Sequence, residues 1–210
     1  MTTSINVIAI GSDFVKEFYD SLIEAEKSST AFIYNNFYFL APKIHKRNEW
    51  HKREFQFLSD LRNTVIDFAL SHFPSDYFLI SDDDLIINKD LFRFLEKRPA
   101  EARFIGFHCY STEFRRELIT RQDFGSLNFG HTIDYKNTAD YDVLPEDIYP
   151  DQIYFIETKL MQELKERFGR WFYSNSDAES EARVFVANAK KLAKVYIANV
   201  LNTVDFDIRR

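Results

Sequence analysis

The run Ile5-Asn-Val-Ile-Ala-Ile-Gly11 constrains the fold more than any other stretch of the chain. It is apolar almost without a break and ends at a glycine, which suits a strand buried on both faces, as in parallel sheets. Ser12 or Asp13 can cap a helix in which Phe14, Phe18, Leu22 and Ile23 recur at helical spacing up to Lys27. Thr30 to Leu40 reads as a second, strongly aromatic strand. Strand, helix and strand in that order open an α/β fold with a parallel sheet.

The pattern continues. Phe55, Leu58, Leu61, Val65, Phe68 and Ala69 mark a long amphipathic helix from Trp50, closed by Pro74. Asp76 to Ile80 is the next strand, with Ser81-Asp82-Asp83-Asp84 at its end and Leu85 to Ile87 continuing it. Asn88 caps a short helix through Lys97, and Arg103 to Tyr110 is a further strand. Ser111 to Pro150 has no clean period, which points to a functional loop region. A strand at Gln152–Ile156, helices at Thr158–Phe168 and Asp177–Leu192, a late strand at Ala193–Val200 and a polar tail, Asn202 to Arg210, complete the reading. No repeat or linker divides the chain, so residues 1–210 are expected to form one domain with a mostly parallel mixed sheet flanked by helices.

Composition removes several classes of function. With 22 Phe and 11 Tyr the chain can bury a thick core, so disorder is excluded. Five glycines, none in a GxGxxG or GxxxxGK[ST] pattern, argue against a glycine-rich phosphate loop. One cysteine, Cys109, excludes an internal disulfide and a cysteine-type zinc site, and reads as a small core residue. The net charge of −6 makes nucleic acid a poor partner. Met1 to Gly11 has no basic n-region and no long apolar h-region, and no apolar run approaches the roughly 18 residues a membrane span needs, so the expectation is a cytoplasmic protein without a signal peptide or membrane span. Charge is uneven. Pro42 to Arg53 carries Lys43, Lys46, Arg47, Lys52 and Arg53 against Glu49, while Asp134 to Asp151 is strongly acidic. The basic stretch could hold a polyanionic small molecule, or be a solvated surface.

The chemistry concentrates in Asp82-Asp83-Asp84. Three adjacent carboxylates at the end of a buried strand repel one another and lose hydration, unless a cation sits among them. Oxygen-only ligands suit Mg²⁺ or Mn²⁺. Ligands of open α/β sheets bind beyond the carboxyl ends of the strands, where this cluster falls. Alternation puts Asp82 and Asp84 on one side, facing one metal, and Asp83 on the other, where it could meet a ribose hydroxyl. The plainer reading is an acidic turn capping the helix near Asn88.

Phe78-Leu-Ile-Ser-Asp82-Asp83-Asp84-Leu85, an apolar strand running into Asp-x-Asp and then an aliphatic residue, resembles the GT-A class of nucleotide-sugar glycosyltransferases. So does the upstream helix carrying Leu58-Ser-Asp60-Leu61-Arg62-Asn63. A chain this short is similar to the small glycosyltransferases of large algal (chlorella) DNA viruses, which would put it in the host cytoplasm. The resemblance implies a nucleotide-binding half at 1–100 and an acceptor-side half at 101–210, with a flexible loop near 111–150 closing over donor. It implies that Asp82 and Asp84 bind the Mn²⁺ or Mg²⁺ bridging the donor phosphates, with Asp205 or Asp207 in place of the late histidine this chain lacks. Ile10, Gly11 and Ser12 would lie against base and ribose. Arg62 would reach ribose or diphosphate from the helix that also carries Asp60, and Arg53 would add positive charge. Asp177, Glu179 or Glu181 would face the acceptor and serve as the base an inverting reaction needs.

The resulting expectation is a metal-dependent glycosyltransferase of hexosyltransferase type, moving a sugar from a nucleoside-diphosphate sugar, UDP-sugar by default, to a glycan or glycoprotein. A nucleotidyltransferase, or a non-catalytic nucleotide- or carbohydrate-binding module, are the alternatives. Sugar, acceptor, linkage, stereochemistry and oligomeric state stay open. Of the remaining residues, the aromatic run Tyr34, Phe37, Tyr38 and Phe39 reads as core before stacking surface, as do Trp50 and Trp171, and His131 stands out in the loop.

Overall fold

A computed structural model describes residues 2–11, 15–40, 52–111, 116–117, 119–121, 140–146, 148–150, 152–173 and 181–204. The chain opens as expected, with β1 (Thr3–Gly11), α1 (Lys16–Glu26) and β2 (Phe32–Leu40), followed by α2 (Lys52–His72) and β3 (Tyr77–Asp82). Next come β4 (Leu85–Ile86), α3 (Leu91–Glu96), β5 (Phe104–Ser111), β6 (Arg116–Glu117), β7 (Ile119–Arg121), β8 (Tyr141–Val143) and β9 (Ile148–Pro150). The chain then runs through β10 (Ile153–Glu157), α4 (Thr158–Phe168), α5 (Glu181–Lys190) and β11 (Val195–Val204).

Among the described residues one sheet of nine strands carries the order β2-β1-β3-β10-β5-β11-β4, with β6 added beside β5 and β8 beside β11; β7 and β9 pair separately. β2, β1 and β3 run parallel, β10 runs against both β3 and β5, and β11 is parallel to β5. This is the expected mixed, mostly parallel sheet between helices. Alternation along β1 explains the two-sided burial: Ile5, Val7 and Ala9 join α1 and α3 on one face, while Ile8 and Ile10 join α2, α4 and α5 on the other. Tyr34 and Tyr38 pack against the first face and Phe37 and Phe39 against the second, so the aromatic strand serves the core. Trp171 and Cys109 are buried in it as well.

Several boundaries differ, each for a local reason. The start of α1 takes no capping side chain; Val15 occupies the cap position, and its N–H donates to the Tyr38 hydroxyl at 3.1 Å. Ser12 and Asp13 lie outside the described residues. Asn88 stands just before α3 and accepts the Asp90 N–H at 2.9 Å, so it closes the turn that leads into the helix. The stretch read as aperiodic holds β6 to β9, which are too short, at two or three residues, to show a period. β11 runs on to Val204, through residues that looked like a polar tail. Asn202 is fully buried there, accepting the Asn88 N–H at 2.9 Å and donating to the His108 carbonyl at 3.4 Å. Among the described residues, no helix is long and apolar enough to cross a membrane.

Candidate functional site

The carboxyl ends of β1 and β3 lie side by side, with Ile10 level with Asp82. From the far side of the sheet β11 comes back antiparallel to β4, and its last residue, Val204, pairs with Leu85, next to Asp84. The acidic triplet therefore sits where strands from both halves of the chain converge.

Each acid has a partner, and the partners differ. Asp82 accepts from the Arg62 guanidinium, whose other terminal nitrogen donates to Glu181 at the start of α5. Arg62 and Glu181 are almost completely buried, with side chains 11% and 6% exposed. Burial by itself would lower the Arg62 pKa, but the charges of Asp82 and Glu181 outweigh it and hold the group above its ordinary value, fixed as a cation. The guanidinium also lies over the Phe172 ring, 5.2 Å from its centroid. Asp83 turns the other way, is fully buried, and accepts the Tyr38 hydroxyl at 2.8 Å. It fills the space over Gly11 so closely that a Cβ there would fall 1.5 Å from Asp83 Oδ2. Asp82 and Asp84 share a third partner. With the amide oriented as its hydrogen-bonding surroundings require, Gln152 Nε2 donates to Asp82 Oδ2 at 3.1 Å and to Asp84 Oδ1 at 3.2 Å. Asp82 thus has a guanidinium as one counter-charge.

The fold separates the candidate residues. Asp82 and Asp84 converge on one point, as strand alternation predicts, and Asp83 faces inward against Tyr38 and Gly11 instead of toward open space. Ile10 is 4% exposed and belongs to the core under α2. Arg62 meets two protein carboxylates, and Glu181 is spent on holding it. Asp60, two residues before Arg62, projects from the exposed face of α2, accepting from Gln56 at 2.8 Å with Arg170 3.7 Å away. The backbone of Arg53 belongs to the first turn of α2. Ser12, Lys43, Lys46, Arg47, His131, Asp177, Glu179, Asp205 and Asp207 lie outside the described residues.

Sequence reasoning missed Gln152, Tyr38 and the use of Asn63. Asn63 follows Arg62 and ties down the turn after α4: its Oδ1 accepts the Trp171 and Phe172 N–H groups, each at 3.1 Å, and its Nδ2 donates to the Phe172 carbonyl at 2.7 Å. The Arg-Asn pair therefore acts as a unit, the arginine on the acids and the asparagine on the segment whose Phe172 ring supports that arginine. Asn63→Ala is expected to cost about 2 kcal/mol in chemical denaturation, because it strands backbone groups in a buried turn.

The donor set fits a hard divalent cation: two carboxylate oxygens, Asp82 Oδ2 and Asp84 Oδ1, converge on the Gln152 amide. Among the described residues no three His, Cys, Asp or Glu side chains gather as a metal site.

No protein-family model matches this chain, and no curated protein matches it in sequence. Solved structures do. A197 from STIV superposes with a TM-score of 0.56 at 13% identity, over 93% of this chain and 81% of its own. S. aureus TarS 1–349 gives a TM-score of 0.54 at 14% identity over 98% of this chain, which spans 60% of the TarS chain. At such identities the likeness is one of fold. A glycosyltransferase involved in the glycosylation of the major capsid of PBCV-1 gives a TM-score of only 0.34 at 16% identity, over 78% of this chain and 67% of its own, and carries no argument for the finer viral resemblance. The chain has a Rossmann-like α/β fold of the GT-A type, with an acidic triplet at the end of its third strand.

Proposed function

We propose that the protein is a glycosyltransferase that uses a divalent metal to transfer a sugar from a nucleoside-diphosphate sugar, UDP-sugar by preference, to a glycan or glycoprotein acceptor. The observation that carries this reading is the convergence of Asp82 and Asp84 at the carboxyl end of β3, beside the end of β1, in a GT-A-type fold. Asp82 and Asp84 hold the Mn²⁺ or Mg²⁺. Asp205 is the third ligand in this proposal, favoured by the register that brings Val204 opposite Leu85. When bound, the metal supplies positive charge where the leaving diphosphate gains negative charge.

The protein's own residues do the rest. Gly11, at the end of β1, and Ser12 after it lie against the base and ribose. Arg62 orients Asp82 and offsets part of the triplet's negative charge, and Arg53 adds positive charge near the phosphates. Glu181, buried on Arg62, acts through that arginine, which leaves Asp177 and Glu179 to face the acceptor hydroxyl as general base.

Thermal denaturation tests this reading. UDP with Mn²⁺ is expected to raise the midpoint, by mass action worth about 2.7 kcal/mol at a hundredfold excess over Kd. EDTA should abolish the rise, and so should Asp84→Ala, which also loses donor turnover. Ligand binding that survives unchanged in Asp84→Ala would instead identify a binding module without metal chemistry. A midpoint indifferent to every nucleotide would overturn the proposal.

A further inference from the structure

Gln152 sits between the two acids assigned to metal, and a role for it there rests on that assignment. Its position is set by the backbone. Ile153 pairs with Ser81 across the antiparallel β10–β3 ladder, which brings Gln152 level with Asp82, and the Gln152 carbonyl accepts the Asp82 N–H at 3.1 Å. Among the described residues Gln152 is the one non-glycine residue at positive φ, 73°, a conformation that glycine adopts far more easily. A side chain is thus kept where the backbone favours none, and its amide reaches both Asp82 Oδ2 and Asp84 Oδ1.

A carboxamide has two chemically opposite ends: Nε2 donates, and Oε1 is a neutral hard oxygen of the kind Mg²⁺ and Mn²⁺ accept. Facing two carboxylates, Nε2 is the favourable end. Facing a cation held between those carboxylates, the N–H groups are repelled and Oε1 is favourable. The terminal amide torsion is broad and roughly two-fold, so the ends exchange without any change in the backbone.

We propose that Gln152 is a protein ligand of the divalent cation through Oε1. In the metal-free protein the same amide, turned over, cross-links Asp82 and Asp84 through Nε2.

The test titrates Mn²⁺ alone into the full chain and follows free Mn²⁺ by electron paramagnetic resonance, a readout independent of turnover. Gln152→Gly deletes the amide and suits the positive φ, so folding is not at risk. Gln152→Glu keeps an oxygen and deletes the donor. Gln152→Gly is expected to bind Mn²⁺ about tenfold more weakly than the unaltered chain, and Gln152→Glu at least as tightly as it. Mn²⁺ binding by Gln152→Gly as tight as or tighter than that of the unaltered chain overturns the ligand role, while leaving the metal assignment of Asp82 and Asp84 in place. No Mn²⁺ binding by the unaltered chain overturns both.

Discussion

Arg62→Met is expected to destabilise the protein by about 3–5 kcal/mol, the scale for breaking a buried ion pair by removing one partner. The methionine keeps most of the apolar stem, so the loss comes from charge. Glu181, 6% exposed, and Asp82, 23% exposed, would each be left as a carboxylate without its cation. The bond to Glu181 spans 119 residues of sequence and joins α2 to α5, so its loss loosens helix packing as well as the acidic site. Arg62→Lys should recover only part of the stability, because a point ammonium cannot fork to two acids as a guanidinium does. Adding Glu181→Gln to Arg62→Met should recover some of it too, since the most buried orphan charge is then gone. Urea unfolding at neutral pH measures all of these, and a loss below about 1 kcal/mol for Arg62→Met, the ceiling for most exposed pairs, would refute the buried role.

Gly11→Ala is expected to cost about 3 kcal/mol, at the upper end of what overpacking costs. A Cβ on Gly11 would lie 1.5 Å from Asp83 Oδ2 and 2.0 Å from its Cγ, so Asp83 must leave its place. Moving it breaks the 2.8 Å bond from the Tyr38 hydroxyl, the same hydroxyl that accepts the Val15 N–H at the start of α1. The penalty is thus felt at the end of β1, the middle of the triplet and the first turn of α1 together. In an Asp83→Ala background the three nearest clashing atoms are gone, and the further cost of Gly11→Ala should fall below about 1 kcal/mol, a non-additivity expected of residues in contact. Full stability of Gly11→Ala on its own would show that the close approach is dispensable. Since unfolding is followed without nucleotide, the result is independent of any role Gly11 has in binding.

Much of this was legible in the residues. The apolar run of β1, the helical spacing of α1 and the apolar lead into Asp82 are local patterns with a fixed period, and periodicity survives any tertiary context that buries the corresponding face. Alternation likewise put Asp82 and Asp84 on one side and Asp83 on the other. The late strand was legible only as far as Val200. Its continuation carries polar Asn202, whose burial is compensated by Asn88 and His108, partners far away in sequence. Strands of two or three residues, such as β6 and β8, leave no period to read.

The α/β class, the order of the main elements and the acidic triplet at a strand end could all be read from residue order, because each depends on spacing among near neighbours. What the acids meet came from the folded chain: Arg62, shared with Glu181, for Asp82, Tyr38 and the bare face of Gly11 for Asp83, and the Gln152 amide for the Asp82–Asp84 pair. A buried carboxylate must find a donor or a counter-charge, but any hydroxyl, amide or guanidinium can satisfy it. Which of them does is set by the packing of α2, α5 and β10 against the end of β3, and no local pattern records that packing.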